Sequence, residues 1–244
     1  MKRAFRLLLC VAGTAAGIFL VSCTVNQTLV IAADGSGTLT THAEVAPLLH
    51  DYLAGLAEAG GSGLPGGRVF EPEAVRKSFQ SRPGVIVQKV EAPTASSLDL
   101  ELAFDSLSWT LDHQEALAST GAATITEDGE ARTLRLRFDR ATWSGISALV
   151  PPLQNPVLQQ LGPQGTGTVS ESDYLSMISF SIGDSAPALL RKSFVTLTVR
   201  PQGDILSQAG GTRNADSVVF RIPLLRLLVL DRPLEYSVTY RLRR

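Results

Sequence analysis

Two cysteines and three histidines are the side chains of this 244-residue chain with the widest chemical reach, so their spacing is the first question. Cys10 and Cys23 have no C-x-x-C neighbourhood, and a zinc site needs four N or S ligands that two cysteines and scattered histidines do not supply at short range. His42 is followed by Glu44 on the same face of a strand pattern, His50 precedes Asp51, and His113 follows Asp112. None has the H-x-x-x-H or H-E-x-x-H spacing that sets two imidazoles on one helix face. Gly61-Ser62-Gly63-Leu64-Pro65-Gly66 matches G-x-G-x-x-G by letter, but a helix pattern precedes it where a strand must, and Pro65 occupies the turn. Ser36, in Asp34-Gly35-Ser36-Gly37, belongs to a hairpin turn and not to a G-x-S-x-G elbow, and a lone Asp34 lacks the oxygens calcium requires. The carboxylate pairs Glu71/Glu73, Glu127/Asp128 and Glu171/Asp173 sit at turns or helix starts, where solvation and the helix dipole account for them. No catalytic, metal or cofactor-binding residue is therefore expected, and the chain is not expected to be an enzyme.

One cysteine has a context of its own. Lys2, Arg3 and Arg6 precede an apolar run from Leu7 to Val21, the charge and hydrophobicity pattern of a secretory signal peptide. That run is about 15 residues, short of the roughly 20 a helix needs to cross a hydrocarbon core. It ends in Leu20-Val21-Ser22-Cys23, which resembles the lipobox of bacterial lipoproteins. The resemblance implies that residues 1–22 are removed and that Cys23 becomes the first mature residue, carrying a thioether diacylglycerol as its membrane anchor, with a palmitate-class N-acyl chain in many bacteria. The competing reading makes Cys23 an ordinary small hydrophobe beside a plain cleavage site. Three of the 22 basic residues leave with the signal, so the formal net charge moves from −1 to −4. A polybasic attraction to anionic lipid is then not the anchor, and neither the charge nor its distribution suits a nucleic-acid partner.

The rest, residues 23–244, reads as one α+β domain. Val25, Leu29 and Ile31, then Leu39, Thr41 and Ala43, alternate around the Gly-rich turn as a β-hairpin. Leu48, Leu49, Tyr52, Leu53 and Leu56 recur at helical spacing after Pro47, and Pro72 suits a second helix start. Strand patterns return at Val85 to Val90, at Leu98 to Phe104, and in a hairpin around Asp128-Gly129; Leu107 to Leu117 suits a short helix. Residues about 140–192, cut by Pro151-Pro152, Pro156, Pro163 and Pro187, read as a mostly helical insertion. Val195 to Val199, Val218 to Ile222 and Leu234 to Leu242 are strands, with Gly203 in a turn and residues 222–230 a buried turn between two of them. The one-sided alternation predicts an antiparallel sheet with helices packed on one face.

The succession of Val195 to Gly203, Gly210-Gly211-Thr212 and Val218 to Ile222 is similar to the end of LppM-type bacterial lipoprotein domains. That resemblance implies an α+β fold with lipidic or glycolipid ligands at the envelope. The expectation is a non-enzymatic envelope lipoprotein, exported and lipid-anchored through Cys23, acting as an envelope component or binding another envelope protein. The alternative is an amphiphile-binding module in which residues 222–230 and Leu149, Leu153, Val157, Leu158, Leu161, Met177, Ile178 and Phe180 line an apolar cavity between helices and sheet.

Overall fold

The computed structural model describes residues 23–59, 63–149, 161–163 and 169–243. The first alternating segments form β1 (Thr24–Ile31) and β2 (Gly37–Glu44), paired antiparallel from Thr24 against Glu44 to Ile31 against Gly37. Their turn is set by Asp34, whose carboxylate accepts the Ser36 N–H at 3.0 Å and the Ser36 hydroxyl at 2.7 Å. These bonds hold the exposed carboxyl below its ordinary range. Helices α1 (Pro47–Ala59) and α2 (Pro72–Gln80) follow as expected, the second opened by Pro72 and by the Glu71 carboxylate accepting the Ala74 N–H. Then come β3 (Ile86–Glu91) and β4 (Ser97–Phe104). The helix expected at 107–117 is divided into α3 (Leu107–Asp112) and α4 (Glu115–Ala118), ahead of the hairpin β5 (Ala123–Asp128) and β6 (Ala131–Phe138).

The second half holds α5 (Arg140–Leu149), α6 (Glu171–Ile182) and α7 (Ala186–Arg191), then β7 (Phe194–Pro201), β8 (Gly203–Ala209), β9 (Thr212–Arg213), β10 (Val218–Pro223), α8 (Leu224–Val229) and β11 (Leu234–Leu242). Two local expectations are corrected here. Gly203 opens strand β8 and is not confined to a turn. Residues 224–229 are a helix, started after Pro223 and closed by Leu230 in the left-handed region at φ 44, where a buried turn was expected. The expected helical insertion falls partly on residues 150–160 and 164–168, which lie outside the described residues. Its described parts do not stand apart: α5 packs on α4, and α6 and α7 pack on α8.

The class is α+β, but the single antiparallel sheet becomes two. The larger has the order β3-β4-β2-β1-β7-β10-β9, and the smaller β5-β6-β11-β8. Within the larger sheet β1 and β7 run parallel, from Thr24 beside Phe194 to Ile31 beside Pro201, while the other pairs are antiparallel. One face of the larger sheet is buried in two portions. Leu29, Ile31, Val199, Val218, Phe220 and Ile222 meet Leu134, Ile205, Tyr236, Val238 and Tyr240 of the smaller sheet. Ala43, Leu98, Leu100 and Leu102 meet Phe70, Val75 and Val90 under α2. The other face carries Asn26, Thr28, Thr38, Thr40, His42, Thr196 and Thr198, which stay outside these clusters. A third cluster closes one end of the sheet: Tyr174, Leu175 and Ile178 of α6, Ala186 and Leu190 of α7, and Leu225 and Val229 of α8, with Leu48 of α1 at its edge.

Candidate functional site

The pairing register places Cys23 at that helix-capped end. Thr24 lies beside Glu44, the last residue of β2, and beside Phe194, the first of β7, and Phe194 in turn faces Pro223, the last of β10. Among the described residues, regular structure begins at Thr24, one residue after the cysteine, without a spacer. Cys23 is buried, its backbone N–H donating to the Ser193 hydroxyl at 3.0 Å and its Sγ accepting the Ala46 N–H at 3.4 Å. Ser193 Oγ donates onward to the Leu189 carbonyl of α7 at 2.9 Å, so the same hydroxyl links the cysteine to the helical cap. Burial pushes the thiol pKa up; the Ala46 and Ser193 hydrogen bonds oppose it, and the Glu44 charge adds to it. An unmodified Cys23 in this seat is thus a poor nucleophile.

The structure keeps the three histidines apart. His42 pairs across strands with Asp99, Nδ1 to Oδ1 2.6 Å, on the polar face of the larger sheet. His50 on α1 contacts Asp51 and the Gly67 carbonyl, and His113 stacks on Trp109 with ring centroids 3.9 Å apart while its Nδ1 meets the Trp109 carbonyl. Gly63 and Gly66 lie between α1 and α2, outside any strand-to-helix turn, and residues 60–62 are not among those described. Glu71 and Asp173 are engaged as helix-start groups. Among the described residues no group of three or more His, Cys, Asp or Glu is close enough to hold a metal ion, and no helix is long and apolar enough to cross a membrane.

Two open clefts lie elsewhere. One, of about 450 Å³, sits at the opposite end of the larger sheet between Ala33, Gln202, Asp204, Arg213, Asp216 and Arg243. It is rimmed by ion pairs, Arg243 to Asp204 at 2.7 Å and Arg200 to Asp216 at 3.2 Å, and Arg243 holds the Asp204 carboxyl below its ordinary range. The other, of about 530 Å³, runs between Arg82, His113, Gln114, Glu115, Thr120 and Ser144. Neither is lined by the residues expected to enclose an amphiphile. Of those, Ile178 and Leu161 pack within the helical cluster, where the Tyr174 hydroxyl donates to the Leu161 carbonyl at 2.6 Å. Met177 and Phe180 instead point outward, Phe180 at 95% exposure. The side chain of Leu149, and Leu153, Val157 and Leu158, lie outside the described residues.

Sequence reasoning singled out Cys23 but not its seat. Ala46 and Ser193 are 23 and 170 residues away in the chain, and no local pattern marks either of them. The outward Phe180 was equally hidden, because its helix supplies a full set of inward apolar residues and one more looks like core.

No family model matches the sequence, and no curated protein is similar to it. Among solved structures, the chain is similar to the folded domain of the Mycobacterium tuberculosis LppM protein, determined by NMR, with 13% identity, 91% of each chain covered and a TM-score of 0.44. A likeness of that degree transfers no residue role or ligand to this chain.

Proposed function

We propose that the chain is an exported envelope lipoprotein, attached to a bacterial membrane through diacylglyceryl-Cys23 and acting without catalysis, as an envelope component or as a binder of another envelope protein. The observation that carries this reading is the ordered succession of basic residues, apolar run and Leu20-Val21-Ser22-Cys23, immediately followed by a folded strand. Two or three acyl chains supply stable attachment where a single one is marginal, since each buried methylene contributes about 0.8 kcal/mol. The non-catalytic part is supported by the separation of His42, His50 and His113, each hydrogen-bonded to its own neighbours.

The reading makes a geometric demand. A thioether at Cys23 does not fit a buried sulfur, so the first mature residue must turn out of its seat and release the Ala46 N–H and the Ser193 hydroxyl. The test is metabolic labelling with a fatty-acid probe in a bacterial host, with intact mass of the purified protein. Wild type is expected to lose residues 1–22 and gain lipid mass on Cys23; a wild-type protein with a free Cys23 thiol would overturn the proposal.

A further inference from the structure

Six large apolar side chains are well exposed among the described residues: Ile86, Trp109, Val169, Met177, Phe180 and Leu206. Three of them, Val169, Met177 and Phe180, lie on α6 or the residue before its Ser170 cap, at the end of the molecule that holds Cys23. Phe180 at 95% exposure and Met177 at 45% are three residues apart and so neighbour each other on the helix surface. They occupy the side away from Tyr174, Leu175 and Ile178, which lock α6 onto α7 and α8. Ser172, Ser176 and Ser181 beside them are exposed, small and uncharged, while the exposed Asp173 and Asp184 stand four residues before Met177 and four after Phe180. An almost wholly exposed phenyl ring beside a half-exposed methionine makes a small apolar patch on a helix packed firmly on its other side.

The position of Cys23 says what that patch meets. The residue after it, Thr24, is held in the ladder beside Phe194, three residues past the end of α7, α7 packs on α6, and no spacer separates the cysteine from β1. A bilayer holding the acyl chains of Cys23 is therefore brought against the helical cap. Resting on the reading of Cys23 as the anchor, we propose that Met177 and Phe180 form a second, non-covalent membrane contact that enters the apolar layer beside the lipid anchor and fixes the orientation of the domain. Asp173 and Asp184 flank the pair and limit its depth. The former takes hydrogen bonds from the Ser170 hydroxyl and the latter from Ser179, and both carboxylates remain at the headgroup level. The contact orients a domain that the thioether alone leaves free to rotate.

The lipidated full-length product offers a direct probe. Cys10 leaves with the signal and Cys23 is blocked by its thioether, so Phe180→Cys introduces the sole free thiol for a nitroxide label. Asp216→Cys, at the opposite end of the sheet, is the control. In phosphatidylethanolamine/phosphatidylglycerol vesicles the label at 180 is expected to be several-fold more accessible to oxygen than to a water-soluble nickel chelate, and the label at 216 the reverse. Intact mass of the same samples reports lipid on Cys23. Equal nickel access at both positions in lipidated protein overturns the contact and leaves the anchor standing. Dipolar broadening between labels at 180 without oxygen preference also overturns it, in favour of a second copy. If the mass shows no lipid, the anchor reading falls, and Cys23→Ala/Phe180→Cys added to vesicles decides the contact alone: oxygen preference supports it, nickel access overturns it.

Discussion

The two ends of the larger sheet are made from the same strands and finished in opposite ways. At the Cys23 end, β2, β7 and β10 join helices, and the surface includes the uncovered Phe180 ring and Met177 side chain. At the other end the chain turns tightly at Asp34-Gly35 and Gln202, and the surface is a cleft of paired charges. The difference teaches that the fold is polarised along its strands. One end exposes apolar side chains of α6, and the other keeps arginines and carboxylates where water solvates them.

The largest test of this contrast is Cys23→Ala, expected to abolish fatty-acid labelling and release the protein from the membrane fraction, while Arg243→Ala at the far end leaves both unchanged. Next is the rigidity of the cap. Ile178 is 1% exposed, and Ile178→Ala is expected to cost about 2–5 kcal/mol in urea unfolding. Phe180→Ser, two positions away and fully outward, is expected to stay within about 0.5 kcal/mol of wild type. Equal losses for both would erase the distinction between the inward and outward sides of α6. At the far end a Cβ on Gly203 would overlap the Arg241 carbonyl, so Gly203→Ala is expected to cost about 1–3 kcal/mol by the same assay. A smaller effect is expected from Ser170→Ala, which removes the acceptor for the Asp173 N–H at 3.1 Å and costs about 1 kcal/mol of helix capping.

The smallest effect is a pH dependence at the far end. Arg243 lowers the Asp204 pKa, so the folded protein binds fewer protons than the unfolded chain in the carboxylate range. The stabilisation is complete above the unfolded carboxyl value of about 3.9 and fades as pH falls through the lower folded value. Both groups are well exposed, so the effect is small: Arg243→Gln is expected to flatten this acid slope by lowering stability slightly at neutral pH while leaving it unchanged below the folded carboxyl value, as acid-titrated unfolding curves will show.

Much of the fold was legible because alternation and caps are local signals. The β1–β2 hairpin, β4, β11, α1 and α2 all follow from apolar spacing with Pro or Gly at the ends. What escaped depends on partners distant in sequence. The parallel β1–β7 pair joins residues about 170 apart, and the division into two sheets leaves no mark on any single strand. β8 is an edge strand in which Ile205 alone is buried, so it shows no alternation to read. Leu224-Leu225-Arg226-Leu227-Leu228-Val229 is too short and too uniformly apolar for its period to distinguish helix from turn. In the site, the lipobox pattern singled out Cys23, whereas the seat formed by Ala46 and Ser193 exists only once three strands and a helix are assembled.

The strand that begins at Thr24 is the fourth of seven, bonded along its whole length to β2 on one side and β7 on the other. A pull on Cys23, such as the proposed anchor would transmit, acts along the axis of that strand. It loads both ladders together in shear, where a pull on an edge strand would unzip one bond after another. With Cys23 as the proposed anchor, the tether joins the central strand of the larger sheet, so that tension is borne by two ladders at the centre of the fold before it reaches either edge.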